Sequence, residues 1–372
     1  MSAAIDHLNL QANKLILNHD IMSCTADGVV GNHLYSGRAL AISEPWDMIQ
    51  MHPDLQPLMN AICHHYKRVG LSYSTNIIWS LNPKHLGAHI GYLPSVFFYG
   101  RKECKYWGDF AWKHTVEVIN SKNNFMRLAT HLGMDIPYTI CIDSLSEING
   151  QILNDIVYPC YLKAAISVAG VGIYRCEDQS ELEQAIAKFD VDTPVQIQEE
   201  IKTESFLNLQ YQVINKKPVR LAASEQVLDG FAHQGNRVPA CYEPWAAVDD
   251  MAQWLVNHGM KGIFAFDVAV VDTPYGPRFP VIECNPRFNG ATYPTLIAQK
   301  LGIREWSSIT MDTRYRRLSD IDLGQLEYDA DSGEGVILVN WGTVLAGKLS
   351  VLLAGSVPTQ EALAIELGTR LC

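Results

Sequence analysis

Residues 262–287 read Gly-Ile-Phe-Ala-Phe-Asp-Val-Ala-Val-Val-Asp-Thr-Pro-Tyr-Gly-Pro-Arg-Phe-Pro-Val-Ile-Glu-Cys-Asn-Pro-Arg. Two apolar runs flank Thr-Pro-Tyr-Gly-Pro, a turn composition, so the stretch predicts a β-hairpin. Asp267 interrupts the first run, and Glu283 and Asn285 interrupt the second. Side chains alternate faces along a strand, so Glu283 and Asn285 share one face while Cys284 points the other way and reads as packing. If the hairpin register brings Asp267 opposite them, two carboxylates and an amide oxygen converge. That is a hard-oxygen set suited to one or two Mg²⁺ that also hold nucleotide phosphates. Arg287, just past the strand, is free for a bidentate contact with a carboxylate or an acyl-phosphate oxygen. Satisfied polar residues at strand ends are the bland reading; three oxygen donors and an arginine at this spacing count against it.

Working back toward the N-terminus, Tyr158–Ile166 (YPCYLKAAI) is an apolar strand with Lys163 inside it. A lysine there is costly unless an anion meets its ammonium. The following turn, Ser167-Val-Ala-Gly170-Val-Gly172, could close its backbone N–H groups over phosphate oxygens. Taken alone, the stretch fits an edge-strand lysine and an ordinary glycine turn just as well. Residues 121–137 (SKNNFMRLATHLGMDIP) place Phe125, Leu128 and Leu132 at helical spacing, with Gly133 as the stop and Pro137 beyond. A strand, YTICID, follows. Asp178 and Glu181 form a capping-box pattern opening a helix whose buried face carries Leu182, Ile186 and Phe189. PVQIQEEI (194–201) reads as the next strand.

Nearer the N-terminus, residues 14–18, 75–80 and 94–99 are short apolar runs that predict buried strands, and 46–68 carry helical spacing. Residues 1–118 therefore read as one α/β unit, without a phosphate-loop fingerprint. His64-His65 read as surface, and the aromatic cluster Tyr106, Trp107, Phe110 and Trp112 as core. Near the C-terminus, residues 335–357 are apolar but broken by Asn340, Lys348 and four glycines. They predict two strands around an Ala346-Gly347-Lys348 turn rather than a membrane span.

The 372 residues fit two or three domains, and 48% apolar with 19% charged residues excludes disorder, collagen and coiled coil as the main organisation. A net charge of −11 supplies no global field for nucleic acid or an anionic membrane, so neither is expected as a partner. Nine scattered cysteines without a CxxC pair, and an N-terminus without a signal-peptide pattern, point to reduced thiols and a cytoplasmic protein.

Taken together, Lys163 with its glycine turn, the VQIQEEI strand, Asp267 and the Glu283-Cys284-Asn285-Pro286-Arg287 run resemble the ATP-grasp ligases, and Lys122 matches the first of the two ATP-grasp lysines. The resemblance covers about residues 115–310, and the order and spacing of its elements make it specific. It implies an α/β (α+β) fold in which ATP lies between two α+β subdomains. The expected division is an N-terminal α/β domain (1–118), an ATP-grasp core (119–310) with a lid at about 155–200, and a C-terminal segment (311–372) completing the core. By the same resemblance Lys122 and Lys163 contact the α- and β-phosphates, and the loop with Ser167, Gly170 and Gly172 folds over the triphosphate. Glu199, Glu200 and Ile201 form the hinge beside adenine, with Glu204 toward the ribose. Asp267, Glu283 and Asn285 bind Mg²⁺, and Arg287 holds the transferred phosphoryl or the substrate carboxylate. The loop is SVAGVG rather than a longer glycine run, a departure from the family pattern.

Residues 219–240 resemble a segment of ATP-grasp enzymes that join amino acids or peptides. There Arg220 emerges from a strand toward the γ-phosphate or acyl phosphate, and His233, Gln234 and Asn236 sit in a glycine-containing loop facing substrate. The implied activity is that of an ATP- and Mg²⁺-dependent ligase that activates a carboxylate as an acyl phosphate and joins it to an amine, an amino acid or small peptide, with specialised metabolite synthesis as one setting. The alternatives are acyl transfer to a carrier-protein thiol, for which Arg314, Arg316 and Arg317 offer a local basic patch, and a non-catalytic ATP-binding subunit or sensor. Oligomeric state leaves no readable pattern.

Overall fold

The computed structural model describes residues 13–372 apart from residues 23, 26–30, 168–171, 204 and 230–231; the side chains of residues 229, 232 and 233 also lie outside the described set. Its strands form three sheets. The first is parallel, in the order β3-β2-β1-β4, from β1 (Lys14–Asn18), β2 (Met48–Gln50), β3 (Ile77–Ile78) and β4 (Tyr92–Val96). The second is antiparallel, in the order β5-β8-β6-β7, from β5 (Thr139–Ile142), β6 (Cys160–Ala164), β7 (Ile173–Cys176) and β8 (Val195–Glu199).

The third sheet has eight strands, β13-β12-β9-β10-β11-β14-β16-β15. They are β9 (Phe206–Ile214), β10 (Lys217–Asp229), β11 (Ala232–Val238), β12 (Ile263–Ala269), β13 (Val281–Asn285), β14 (Trp306–Asp312), β15 (Gly335–Asn340) and β16 (Lys348–Ala354). The C-terminal strands thus extend the sheet that carries the predicted hairpin. They also close over the N-terminal unit: Ile49, Ile62 and Tyr66 share one core with Val336, Ile337, Leu352 and Leu367. The eight-stranded sheet turns Leu207, Leu209, Tyr211, Phe264, Phe266 and Cys284 into a second core, whereas the four-stranded antiparallel sheet has its own, around Leu162, Leu182 and Ile197.

Several expectations are corrected. Residues 46–68 are not one helix but β2, a 3₁₀ segment (Pro53–Leu58) and then a helix (Met59–Arg68). Pro53 and Pro57 lack the N–H a continuous α-helix needs, which confines the α-helix to the residues after them. The strand expected over 75–80 shrinks to Ile77–Ile78, and the one expected over 94–99 runs instead from Tyr92 to Val96. His65 is buried: its Nδ1 lies 2.6 Å from Glu327 Oε1, and its Nε2 accepts the Leu338 N–H at 3.0 Å. Of the aromatic cluster, Trp112 is buried and stacks on Tyr99, but Tyr106 and Phe110 are exposed. Residues 335–357 form β15 and β16, and no helix among the described residues is long and apolar enough to cross a membrane.

Candidate active site

The β12–β13 hairpin pairs Asp267 directly with Glu283 and Ala265 with Asn285, so the three oxygen-bearing side chains meet on one face, opposite Cys284. Asn285 Nδ2 donates to Asp267 Oδ2 at 2.9 Å, and Arg287 donates to Asn285 Oδ1 at 2.6 Å. A half-turn of that amide would present its oxygen to the carboxylates instead.

The helix Lys122–His131, capped by Ser121, places Lys122 at its first residue. Its Nζ lies 3.1 Å from Glu283 Oε2, and its backbone N–H donates to Ala165 O at 2.7 Å, which ties the helix start to the end of β6. From β6, Lys163 Nζ donates to Gln198 Oε1 at 2.6 Å, and Gln198 in turn donates to Thr139 Oγ1 at 3.0 Å. Ser167 lines the same cavity as Lys122, Glu283, Asn285 and Arg287. Gly172 has a φ of 75°, a left-handed conformation open to glycine, at the entry to β7. Gly170 and Glu204 lie outside the described residues.

Charge in this cluster is strongly coupled. Burial and the neighbouring Glu283 push the Asp267 carboxyl well above the usual range, although Asn208 donates to it. Burial opposes ionisation of Glu283 too, but Lys122, Arg287 and Lys163 outweigh it and hold its pKa low. Lys163 is lowered to about 8, chiefly by burial, with Glu283 supporting and Lys122 opposing its charge. Two half-buried carboxylates side by side, one driven toward its protonated form, make a donor set that a hard divalent cation would satisfy. The residues therefore fit Mg²⁺.

Sequence reasoning missed the groups that hold Asp267. Asn208 Nδ2 and Gln226 Nε2 each donate to Asp267 Oδ1 at 2.7 Å. Asn208 Oδ1 in turn accepts from Asn289 at 3.2 Å. The signal was present as the alternation of polar Asn208, Gln210 and Gln212 with apolar Leu207, Leu209 and Tyr211 along β9.

At the predicted hinge, the Glu199 carboxylate accepts the Tyr138 N–H and its own N–H donates to Tyr138 O. Glu200 is bound by Arg175 and by the Tyr161 hydroxyl, and these bonds, Arg175 first, pull its carboxyl down to about 2. The Glu200 N–H donates to Pro159 O. Of the three, Ile201 keeps an amide that these contacts do not use.

Arg220 is not brought to the site. A bulge between Arg220 and Ala222 puts it on the face of Tyr211, where it pairs with Asp249 and lies over Trp245. Residues 232–238 form strand β11, not the expected loop. Asn236 is buried there, donating to Ser224 Oγ at 3.0 Å, and the His233 side chain lies outside the described set.

A cleft that sets a four-stranded antiparallel sheet with a half-buried lysine against a larger sheet with an acidic hairpin defines the ATP-grasp fold, and this chain has it. Among solved structures, it is similar to the ADP complex of PurK, an N5-carboxyaminoimidazole ribonucleotide synthetase, at 12% identity and TM-score 0.62 over 95% of each chain. The N5-carboxyaminoimidazole synthetase of Staphylococcus aureus with ADP matches at 12% identity and TM-score 0.56, over 79% of this chain and 86% of that one. An Aspergillus clavatus carboxyaminoimidazole ribonucleotide synthase with ATP matches at 13% and 0.52, over 85% and 97%. No family model matches the sequence, and no curated protein matches it.

Proposed function

We propose that this chain is an ATP-dependent ligase that activates a carboxylate as an acyl phosphate and joins it to an amine. The observation that carries the reading is the convergence of Lys122, Lys163, Asp267, Glu283, Asn285 and Arg287 from three separated segments into one cleft. The similarity to synthetases solved with ADP and ATP supports the nucleotide.

In this reading a carboxylate oxygen attacks the γ-phosphorus of ATP, the bond to the β-phosphate oxygen breaks, and an acyl phosphate and ADP result. The amine then attacks the acyl carbon, phosphate leaves, and the amine gives up a proton. Lys122 and Lys163 hold phosphate oxygens and neutralise charge as it shifts, and Arg287 holds the transferred phosphoryl or the carboxylate. Asp267, Glu283 and Asn285 would hold Mg²⁺, which when bound screens the phosphate charges. Asn208 and Gln226 fix the rotamer of Asp267. Ile201 N–H reads the adenine edge. No covalent protein nucleophile is required, so none of the cysteines needs a catalytic role.

The carboxylate and amine are small molecules, of the amino-acid or short-peptide class. The test is ADP and phosphate release by the purified chain with ATP and Mg²⁺, screened against pooled amino acids and dipeptides. Release should need both a carboxylate and an amine, and mass spectrometry should find a product lighter than its parents by one water. Nucleotide binding without turnover in any pool would favour the non-catalytic sensor.

A further inference from the structure

The parallel sheet reverses its strand order between β1 and β4, so the carboxyl ends of these strands, at Asn18 and Val96, mark the switch point at which open α/β sheets take ligands. At this place lies Arg38. Its residue is only 7% exposed, yet no described carboxylate pairs with it. Its guanidinium carbon lies 4.2 Å from the Tyr293 ring centroid, 4.7 Å from Tyr35 and 5.2 Å from Phe97. Nε donates to Tyr35 O at 3.3 Å, while one terminal nitrogen is buried without a hydrogen-bond partner. Three aromatic faces compensate a cation in part, but a buried guanidinium N–H without an acceptor remains costly. His19 does not supply a negative charge: it is fully buried between Tyr293 Oη (2.8 Å) and Ser95 Oγ (3.1 Å), and burial, aided by Arg38, lowers it to about 3.

The cage adjoins the cleft. Phe97 O accepts the N–H of Phe288, the residue after Arg287, and the Phe288 ring lies 4.4 Å from His19 and 5.7 Å from Tyr293. Cys24 ties the two regions further: burial raises its thiol, and the charges of Arg287 and Arg38 both pull against that rise.

We propose that Arg38 is a substrate-binding residue, whose unpaired guanidinium nitrogen takes a carboxylate or phosphate oxygen of the small molecule that enters between the β1–β4 switch point and Arg287. The assignment rests on the ligase reading for the identity of its partner reactant, ATP, and on the cage geometry for the anion itself. A residue kept for ligand rather than for folding has a signature: replacing a buried, unpartnered charge by an apolar chain of similar volume stabilises the free protein.

The experiment follows thermal unfolding of the full chain with sodium acetate, glycine, inorganic phosphate, AMP and, as a cationic control, ethylamine, for wild type, Arg38→Met and Arg38→Lys. An anion should raise the wild-type midpoint and ethylamine should not. Acetate or glycine acting alone identifies a carboxylate ligand; phosphate or AMP acting alone identifies a phosphate ester. Arg38→Met should unfold at a higher temperature than wild type without anion, and bind the effective anion about 10- to 100-fold more weakly, as loss of a charge-assisted bond requires. Arg38→Lys, with its charge but not its fork, should fall between. The proposal is overturned if no anion moves the wild-type midpoint, or if the anion affinity is the same in the variants. Should Arg38→Met not fold, an Arg38→Lys variant with wild-type anion affinity overturns it equally. Calorimetry with ADP and Mg²⁺ separates the two readings. Absent nucleotide binding sinks the ligase but leaves an Arg38-dependent anion effect standing, whereas ADP binding with an Arg38-independent effect sinks only this assignment.

Discussion

Replacing Asn208 by Leu keeps the branch at Cγ and removes one of the two amides that donate to Asp267 Oδ1 at 2.7 Å. A hydrogen bond to a charged group contributes about 1.5–3 kcal/mol, and since Gln226 still donates to the same oxygen, the lower end, about 1.5 kcal/mol, applies. One pKa unit corresponds to about 1.4 kcal/mol, so the Asp267 carboxyl, already raised by burial and by Glu283, should rise by roughly one unit more. Protons and Mg²⁺ then compete for the same oxygens, and below that raised value half-saturating Mg²⁺ should increase about tenfold. At alkaline pH both proteins hold Asp267 ionised, so the difference should narrow. The assay is ADP formation titrated with Mg²⁺ at two values of pH, on wild type, Asn208→Leu, Gln226→Leu and the double variant. The double variant should lose more than the sum of the singles, because the last donor to that oxygen goes with it. Equal Mg²⁺ requirements in Asn208→Leu and wild type at the lower pH, or a gap that widens as pH rises, would refute the reasoning.

Lys163, lowered to about 8 by burial, is a cation below that value and loses its charge above it. The affinity for Mg²⁺–ADP measured by calorimetry should fall by about tenfold as pH rises through this window, and Lys163→Arg should flatten the dependence. Glu327 is held down to about 2 because His65 and Arg68 outweigh the effect of burial. Its stabilisation is therefore complete above the ordinary glutamate value and lost as pH falls from there toward 2. Glu327→Gln should cost about 2 kcal/mol at neutral pH in urea unfolding, discounted for the exposed side of Arg68, and remove that acid dependence. Arg220→Ala should leave ADP formation near wild type, since Arg220 pairs with Asp249 on the far face; a loss comparable with that of Arg287→Ala would return it to the site.

What the sequence made legible and what it hid divide along physical lines. Strand alternation alone put Glu283 and Asn285 on one face and Cys284 on the other, and the turn composition announced the hairpin, but the register that sets Asp267 opposite Glu283 came only with the structure. The same logic failed at Arg220. By simple alternation it shares a face with Ser224 and Gln226, but the bulge before Ala222 adds one residue and turns it over. Asn208 and Gln226 were hidden because polar positions in an alternating strand ordinarily face water, whereas here that face of β9 meets Asn289 and, at Gln210, Thr295 of the helix Thr292–Leu301. His65 was misread for a similar reason. Its acceptor and donor, Glu327 and Leu338, come from a segment more than 250 positions away. Arg38 was hidden because, apart from Tyr35, the rings around it come from the distant Phe97 and Tyr293.

The most direct test of the central claim is a simultaneous measurement of ADP, phosphate and condensed product, with the wild-type chain and Glu283→Gln, across pools that pair carboxylates with amines. The account predicts stoichiometric ADP, phosphate and product only where both substrates are present, and near-complete loss in Glu283→Gln. ADP release indifferent to the pools, or turnover that survives Glu283→Gln, would contradict it.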